Sequence, residues 1–213
     1  MSTVKNVHVI LIPGADALPF EEDIAAAKGL GATVDALTLG PIEGHPVDGR
    51  KVYFDAVADR IAERTDAAVH AKVFGIGRNH GGSILAYAAA RDGGFDGLVF
   101  PGVIPALSDY RARSDLPSAQ AFRSKLDGLS ELVRLQELRA YDMNFCLEQV
   151  SAEKVLIQVG DADDWMDEHS MALFRDLEKH YAVQWLSDDH AMSAPTTVAA
   201  RWSFIEQRAK NVF

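Results

Sequence analysis

The residues best placed to do chemistry in this chain are Gly77-Arg78-Asn79-His80-Gly81-Gly82. They follow an apolar run and open a helical one, Ser83-Ile84-Leu85-Ala86-Tyr87-Ala88-Ala89-Ala90. A strand, a sharp turn and a helix, with small residues two before and two after the central position, make a nucleophile elbow. The turn is too tight for flanking side chains. It strains the backbone of its central residue and raises that side chain above the sheet edge. A helix N-terminus directly behind favours negative charge developing there. The central residue here is Asn79. A serine hydroxyl at that point, deprotonated by a histidine, would attack a carbonyl and form an acyl-enzyme. An amide is a very poor nucleophile and offers only hydrogen bonds. Ordinary serine hydrolysis is therefore not expected.

The neighbours of Asn79 carry two further expectations. His80 could contact a substrate or cap the helix start. Arg78 could bind a carboxylate or phosphate, or point away into neighbouring structure. No Gly-Lys-Ser/Thr follows the glycines, so they do not form a phosphate loop. Asp163, Asp164, Asp188, Asp189 and His190 are metal-ligand types, yet they read as solvated carboxylates beside one histidine, and no metal is expected. The single cysteine, Cys146, excludes an internal disulfide and a multi-cysteine zinc site, and nothing basic lies near it in sequence to activate it.

The elements that must position these residues alternate. Apolar runs near 7–12, 33–39, 69–76, 97–100, 154–159 and 182–186 read as strands. Helical patterns cover 20–30, 52–64, 82–91, 169–180 and 195–209. In the second of these, Val52 and Ala56, then Val57 and Ile61, repeat at helical spacing, with Asp55, Asp59, Arg60 and Glu63 facing elsewhere. The alternation predicts an α/β fold, with a mostly parallel six-stranded sheet and helices on both faces. The strand runs are nearly continuous, as strands covered on both faces are. Residues 103–153 break the rhythm with two or three helices and no strand. One of these carries Leu126, Leu129, Leu132, Val133, Leu135 and Leu138 over a wide apolar arc. A connection this long suits a helical lid insertion or a helix packed on the sheet. No repeat or linker divides the 213 residues, so a single domain is expected.

Composition sets the outer limits. A net charge of −10 with no Lys/Arg cluster argues against nucleic acid as a partner. No segment reaches the roughly 20 apolar residues of a membrane span, and the N-terminal apolar run is too short for a signal peptide. The expectation is a cytoplasmic protein that meets a small molecule and neither nucleic acid nor membrane. Oligomeric state is not legible.

The elbow and its setting resemble the α/β-hydrolase superfamily over nearly the whole chain and in the superfamily's order. Pro13-Gly14-Ala15, after the first strand, resembles the His-Gly-type loop that supplies one oxyanion-hole N–H, with Pro13 in place of His. The resemblance implies oxyanion or substrate contacts from Gly14 and Ala15, and a second N–H from His80. Val159-Gly160-Asp161-Ala162-Asp163-Asp164-Trp165 is similar to the run carrying the triad acid. Its spacing selects Asp163, with Asp161 and Asp164 as near neighbours. Ser187-Asp188-Asp189-His190-Ala191 resembles the run carrying the catalytic histidine. The implied catalytic set is Asn79, Asp163 and His190, with no cofactor.

Asn79 leaves three readings open. His190 oriented by Asp163 could act as a general base on a small carbonyl or ester-like substrate. Hydroxynitrile lyases and cofactor-free dioxygenases, on the same fold, do base chemistry without hydrolysis. Alternatively the chain could be a catalytically inactive small-molecule binder, since asparagine tolerates positive φ better than most residues. Or Asn79 could be an altered or immature nucleophile, a near-isostere of the aspartate that haloalkane dehalogenases carry at the elbow.

Overall fold

The computed structural model describes residues 6–14, 20–44, 47–126 and 134–210. Six strands, β1 (Val7–Ile12), β2 (Thr33–Ala36), β3 (Lys72–Gly77), β4 (Gly97–Pro101), β5 (Val155–Gly160) and β6 (Ala182–Leu186), pair in the order β2-β1-β3-β4-β5-β6. Every pairing is parallel. The period-2 geometry of a strand divides the core into two layers. Ile10, Ile12, Val73, Phe100, Val155, Ile157 and Val159 face one helical layer, while Val7, Val9, Leu11, Phe74, Ile76 and Leu156 face the other. The first layer holds α2 (Asp48–Ala67), α3 (His80–Asp92), α6 (Met143–Leu147) and α7 (Glu168–Leu177). The second holds α1 (Glu21–Leu30) and α8 (Pro195–Lys210). Among the described residues no helix is long and apolar enough to cross a membrane.

Differences from the sequence reading have local causes. The second strand, an edge strand paired only with β1, ends its register at Ala36 opposite Leu11, with one further bond from the Leu37 N–H to the Leu11 carbonyl. The third begins at Lys72 and not at residue 69. Backbone bonds Ala68 N–Thr65 O and Ala71 N–Ala68 O turn that segment, leaving Val69 76% exposed. In α2 the buried stripe is Arg50, Phe54, Val57, Ala58 and Ile61. Val52, at 69% exposure, and Ala56 face solvent, so only the Val57–Ile61 half of the expected stripe lies inside.

Within 103–153, α4 (Leu107–Arg113) and α5 (Pro117–Arg123) are followed by a 3-10 segment, Leu135–Tyr141. Of the apolar helix expected there, Leu129, Leu132 and Val133 lie outside the described residues. Leu135 and Leu138 are buried beside Val47. The start of α4 is pinned by Asp142, whose carboxylate accepts from the Ser108 N–H at 2.8 Å and from the Ser108 hydroxyl.

A buried ionic node ties α1, α8 and the segment after β6 together. Arg201 donates from Nε and Nη2 to the two oxygens of Asp23, both at 2.7 Å, and from Nη1 to the Met192 carbonyl at 2.8 Å. Trp202 Nε1 also donates to Asp23, at 2.8 Å, and both charged residues are fully buried. Removing one member of such a pair strands the other charge. Arg201→Met should cost about 3 kcal/mol in urea unfolding, the low end of the usual loss, because Arg78 remains 3.7 Å from Asp23. Adding Asp23→Asn to that variant should restore more than half of the loss. An additive double variant would contradict the stranded-charge account.

Candidate active site

The chemistry-bearing residues converge where β1, β3, β5 and β6 end. Asn79 joins β3 to α3 with φ 49° and ψ −126°. The positive φ is of the kind asparagine tolerates, while the ψ lies far from the left-handed helical well. The turn is held from outside. A Cβ on Gly81 would lie 2.3 Å from the carbonyl oxygens of both Ile12 and Pro13, so only glycine lets α3 start against the exit of β1. Asparagine is a favoured helix N-cap, yet Asn79 makes no side-chain capping bond. Its side chain is turned to His190 instead.

Asn79 Nδ2 lies 2.8 Å from His190 Nε2, and His190 Nδ1 lies 2.8 Å from Asp163 Oδ2. All three residues are buried. An imidazole that donates from Nδ1 to a carboxylate keeps its lone pair on Nε2, so the group facing it is the NH2 of Asn79. The amide donates where a serine hydroxyl would. Asp163 is fixed in turn by its Oδ1, which accepts from the Trp165 N–H at 2.9 Å. The Trp165 indole stacks on the His190 ring, centroids 4.9 Å apart and planes 8° apart.

The flanking acids have other partners. Asp161 accepts from Ser187 at 3.0 Å, Asp188 from the N–H groups of Asp189 and Ala194, and Asp189 from the Ala191 N–H. These bonds shape the loop that presents His190. Among the described residues no group of three acidic, His or Cys side chains is placed to hold a metal ion. Cys146 is buried, donates to the Ala140 carbonyl, and burial pushes its thiol up to about 12. That thiol is inert at neutral pH.

His80 does not cap its helix. Its ring is buried edge-on to Phe54, and its Nε2 lies 2.8 Å from Arg50 Nη1. A guanidinium only donates, so Nε2 accepts and the His80 proton sits on Nδ1. Burial, then the charges of Arg111 and Arg50, hold this imidazole well below its usual range. His80 is neutral. Arg78 points away from the site, over the Phe20 ring at 4.6 Å and towards Asp23. Gly14 and His80 line one cavity of about 440 Å³, walled largely by Phe20, Ile24, Leu37, Leu39 and Tyr53. Ala15 lies outside the described residues. Trp165 and Arg50 were missed by sequence reasoning. Trp165 sits two residues from Asp163 and could have been found from that spacing, but nothing local marks Arg50.

No protein-family profile matches the sequence, and no curated relative matches it either. Solved structures do. A carboxylesterase of the thaumarchaeon Nitrososphaera gargenis superposes with a TM-score of 0.65 at 16% identity, covering 100% of this chain and 94% of that one. Est1E from Butyrivibrio proteoclasticus gives 0.72 at 14% identity, covering 97% and 90%. A hydrolase of the alpha/beta superfamily from Xanthomonas campestris gives 0.56 at 17%, covering 94% and 97%. The chain has the α/β-hydrolase fold.

The Asp142–Ser108 contact at the start of α4 should respond to pH. Burial raises the Asp142 carboxyl to about 6, above its ordinary value of 3.8. A folded-state value above the unfolded one means that protonation favours the fold, so the contribution of Asp142 grows as pH falls through 6. Relative to Asp142→Asn, which cannot titrate, the native chain should gain about 1 kcal/mol between about pH 7 and about pH 5 in urea unfolding. Parallel profiles for the two proteins would contradict this.

Proposed function

We propose that this chain is a hydrolase-type enzyme of its fold, acting on a small carbonyl or ester-like substrate through a His190/Asp163 general base. Asn79 stands where the serine nucleophile would be. The observation that carries the reading is the unbroken hydrogen-bond sequence Asn79–His190–Asp163, with both links at 2.8 Å. The carboxylate orients the ring and stabilises the imidazolium that forms when Nε2 takes a proton. The flat indole of Trp165 against the ring favours the same cation. The N–H of His80 is the first of α3 and has no acceptor within its helix, which suits it to a developing oxyanion. The solved relatives named above include a carboxylesterase, which supports a hydrolytic setting for the same fold.

Asn79 decides what this machinery does in the native chain. Its amide occupies the only lone pair of the base. Displacing one such hydrogen bond costs about 1 kcal/mol, small against the 10²–10⁴-fold a general base contributes. A substrate or water that displaces the amide would therefore meet a competent base. The occupied lone pair equally favours a second reading, a catalytically silent site that binds the same small molecule. In either case the serine is what hydrolysis lacks.

Asn79→Ser should release p-nitrophenolate from p-nitrophenyl acetate at least about 10²-fold faster than the native chain, with a burst as the acetyl-enzyme forms. Adding His190→Ala to that variant should remove about 10²–10⁴-fold of the rate. A folded Asn79→Ser protein that is inert towards short aryl esters would overturn the hydrolase reading. Turnover by the native chain separates the base enzyme from the silent binder.

A further inference from the structure

We propose that Arg50 and Arg111 form a carboxylate-binding subsite beside the elbow, so that the ligand of the His190 site is a monoanionic carboxylic acid. The proposal rests on the functional reading above for the site, though not on whether the native chain turns its ligand over. Both guanidinium groups lie over the one Phe122 ring, at 5.3 Å for Arg50 and 4.6 Å for Arg111. Arg50 is only 9% exposed. Its Nη1 is held by the neutral His80 ring, and among the described residues its buried Nε has no hydrogen-bond partner. Among the described residues no carboxylate lies within ion-pair distance of either arginine.

A protein with a net charge of −10 has carboxylates to spare for pairing its cations. Elsewhere it uses them: fully buried Arg201 is met by both oxygens of Asp23 on its Nε/Nη2 edge. Two guanidiniums brought together with no acid in ion-pair contact are costly, because each is taken from water and repels the other. The cost is visible at both. Burial lowers Arg50 to about 10, and burial and the charge of Arg50 lower Arg111 well below its usual range. Arg111 is nevertheless only partly shielded from solvent.

The chemistry of the pair selects the ligand. Planar guanidinium groups match a carboxylate edge to edge. Asp142, the nearest acid acting on Arg111, is already committed to Ser108, and it offsets one of the two positive charges. One charge is left over, which suits a monoanion better than a phosphate dianion. Arg50 contacts the ring of His80, the residue that follows Asn79. The subsite therefore adjoins the residue that follows the elbow position, which suits a short ligand carrying a carboxylate at one end and a carbonyl at the other.

Monomethyl glutarate and dimethyl glutarate are probes of nearly one shape that differ by this charge. Calorimetric titration of the native chain at neutral pH should show the monoester binding at least about tenfold more tightly, a difference of about 1.4 kcal/mol. Arg111→Met and Arg50→Met, each checked for a native circular dichroism spectrum, should lose that preference while still binding the diester. Equal affinities for the two probes, no binding of the monoester, or a preference that survives both substitutions would overturn the subsite. The comparison on the native chain stands even if neither variant folds. Failure here leaves the ester hydrolysis of Asn79→Ser untouched, and inert Asn79→Ser leaves this titration untouched.

Discussion

The whole site depends on one strained turn. Asn79 sits at φ 49° and ψ −126°, a backbone state that costs an ordinary residue about 1–3 kcal/mol and persists only where the surroundings impose it. Here the imposing contact is backbone on backbone, the start of α3 pressed against the exit of β1 at Gly81. That contact sets Gly14 and His80 into the same cavity wall and lifts the Asn79 side chain towards the end of β6. The helix has favoured N-cap chemistry at its first residue and forgoes it. The strain and the lost cap are both accounted for by what the side chain does across the sheet edge.

His190 must arrive there with matching accuracy, and a loop alone would not hold it. Gly102, with φ 57°, lets the carbonyl of His190 pack where a Cβ would come within 2.3 Å. Two residues on, the Met192 carbonyl is held by Arg201, itself locked to Asp23. The loop is thus fastened on one side to the end of β4 and on the other to the α1–α8 node. Asp163 is set by the adjacent main chain of Trp165, whose ring then covers the imidazole. This frame sets the two hydrogen bonds at the centre, each 2.8 Å.

Much of this was legible in the sequence where the signal is local. Continuous apolar runs gave the strands, and period 2 within them sorts the two core layers. The elbow and the Asp163–His190 pairing followed from motif order, with Asp161 and Asp164 as near neighbours, and the structure puts Asp163 Oδ2 2.8 Å from His190 Nδ1. What escaped was set by tertiary contact. Val69 reads as strand but closes a turn, and Val52 reads as core but faces solvent because α2 is rotated to bury Arg50. A buried arginine breaks the apolar pattern on which helix-face reasoning depends, so Arg50 and its neighbour Arg111 stayed invisible. The positive φ that asparagine tolerates is present at Asn79, but its ψ of −126° is set by tertiary contact and was not legible.

The central claim is that Asn79 holds the serine's place in an otherwise complete relay. Nitrogen-15 NMR of the His190 imidazole tests it most directly. The account predicts a neutral ring protonated at Nδ1 and bare at Nε2, with a through-hydrogen-bond coupling from the Asn79 side-chain amide to Nε2. A ring protonated at Nε2, or an Asn79 amide with no coupling to it, would contradict the account.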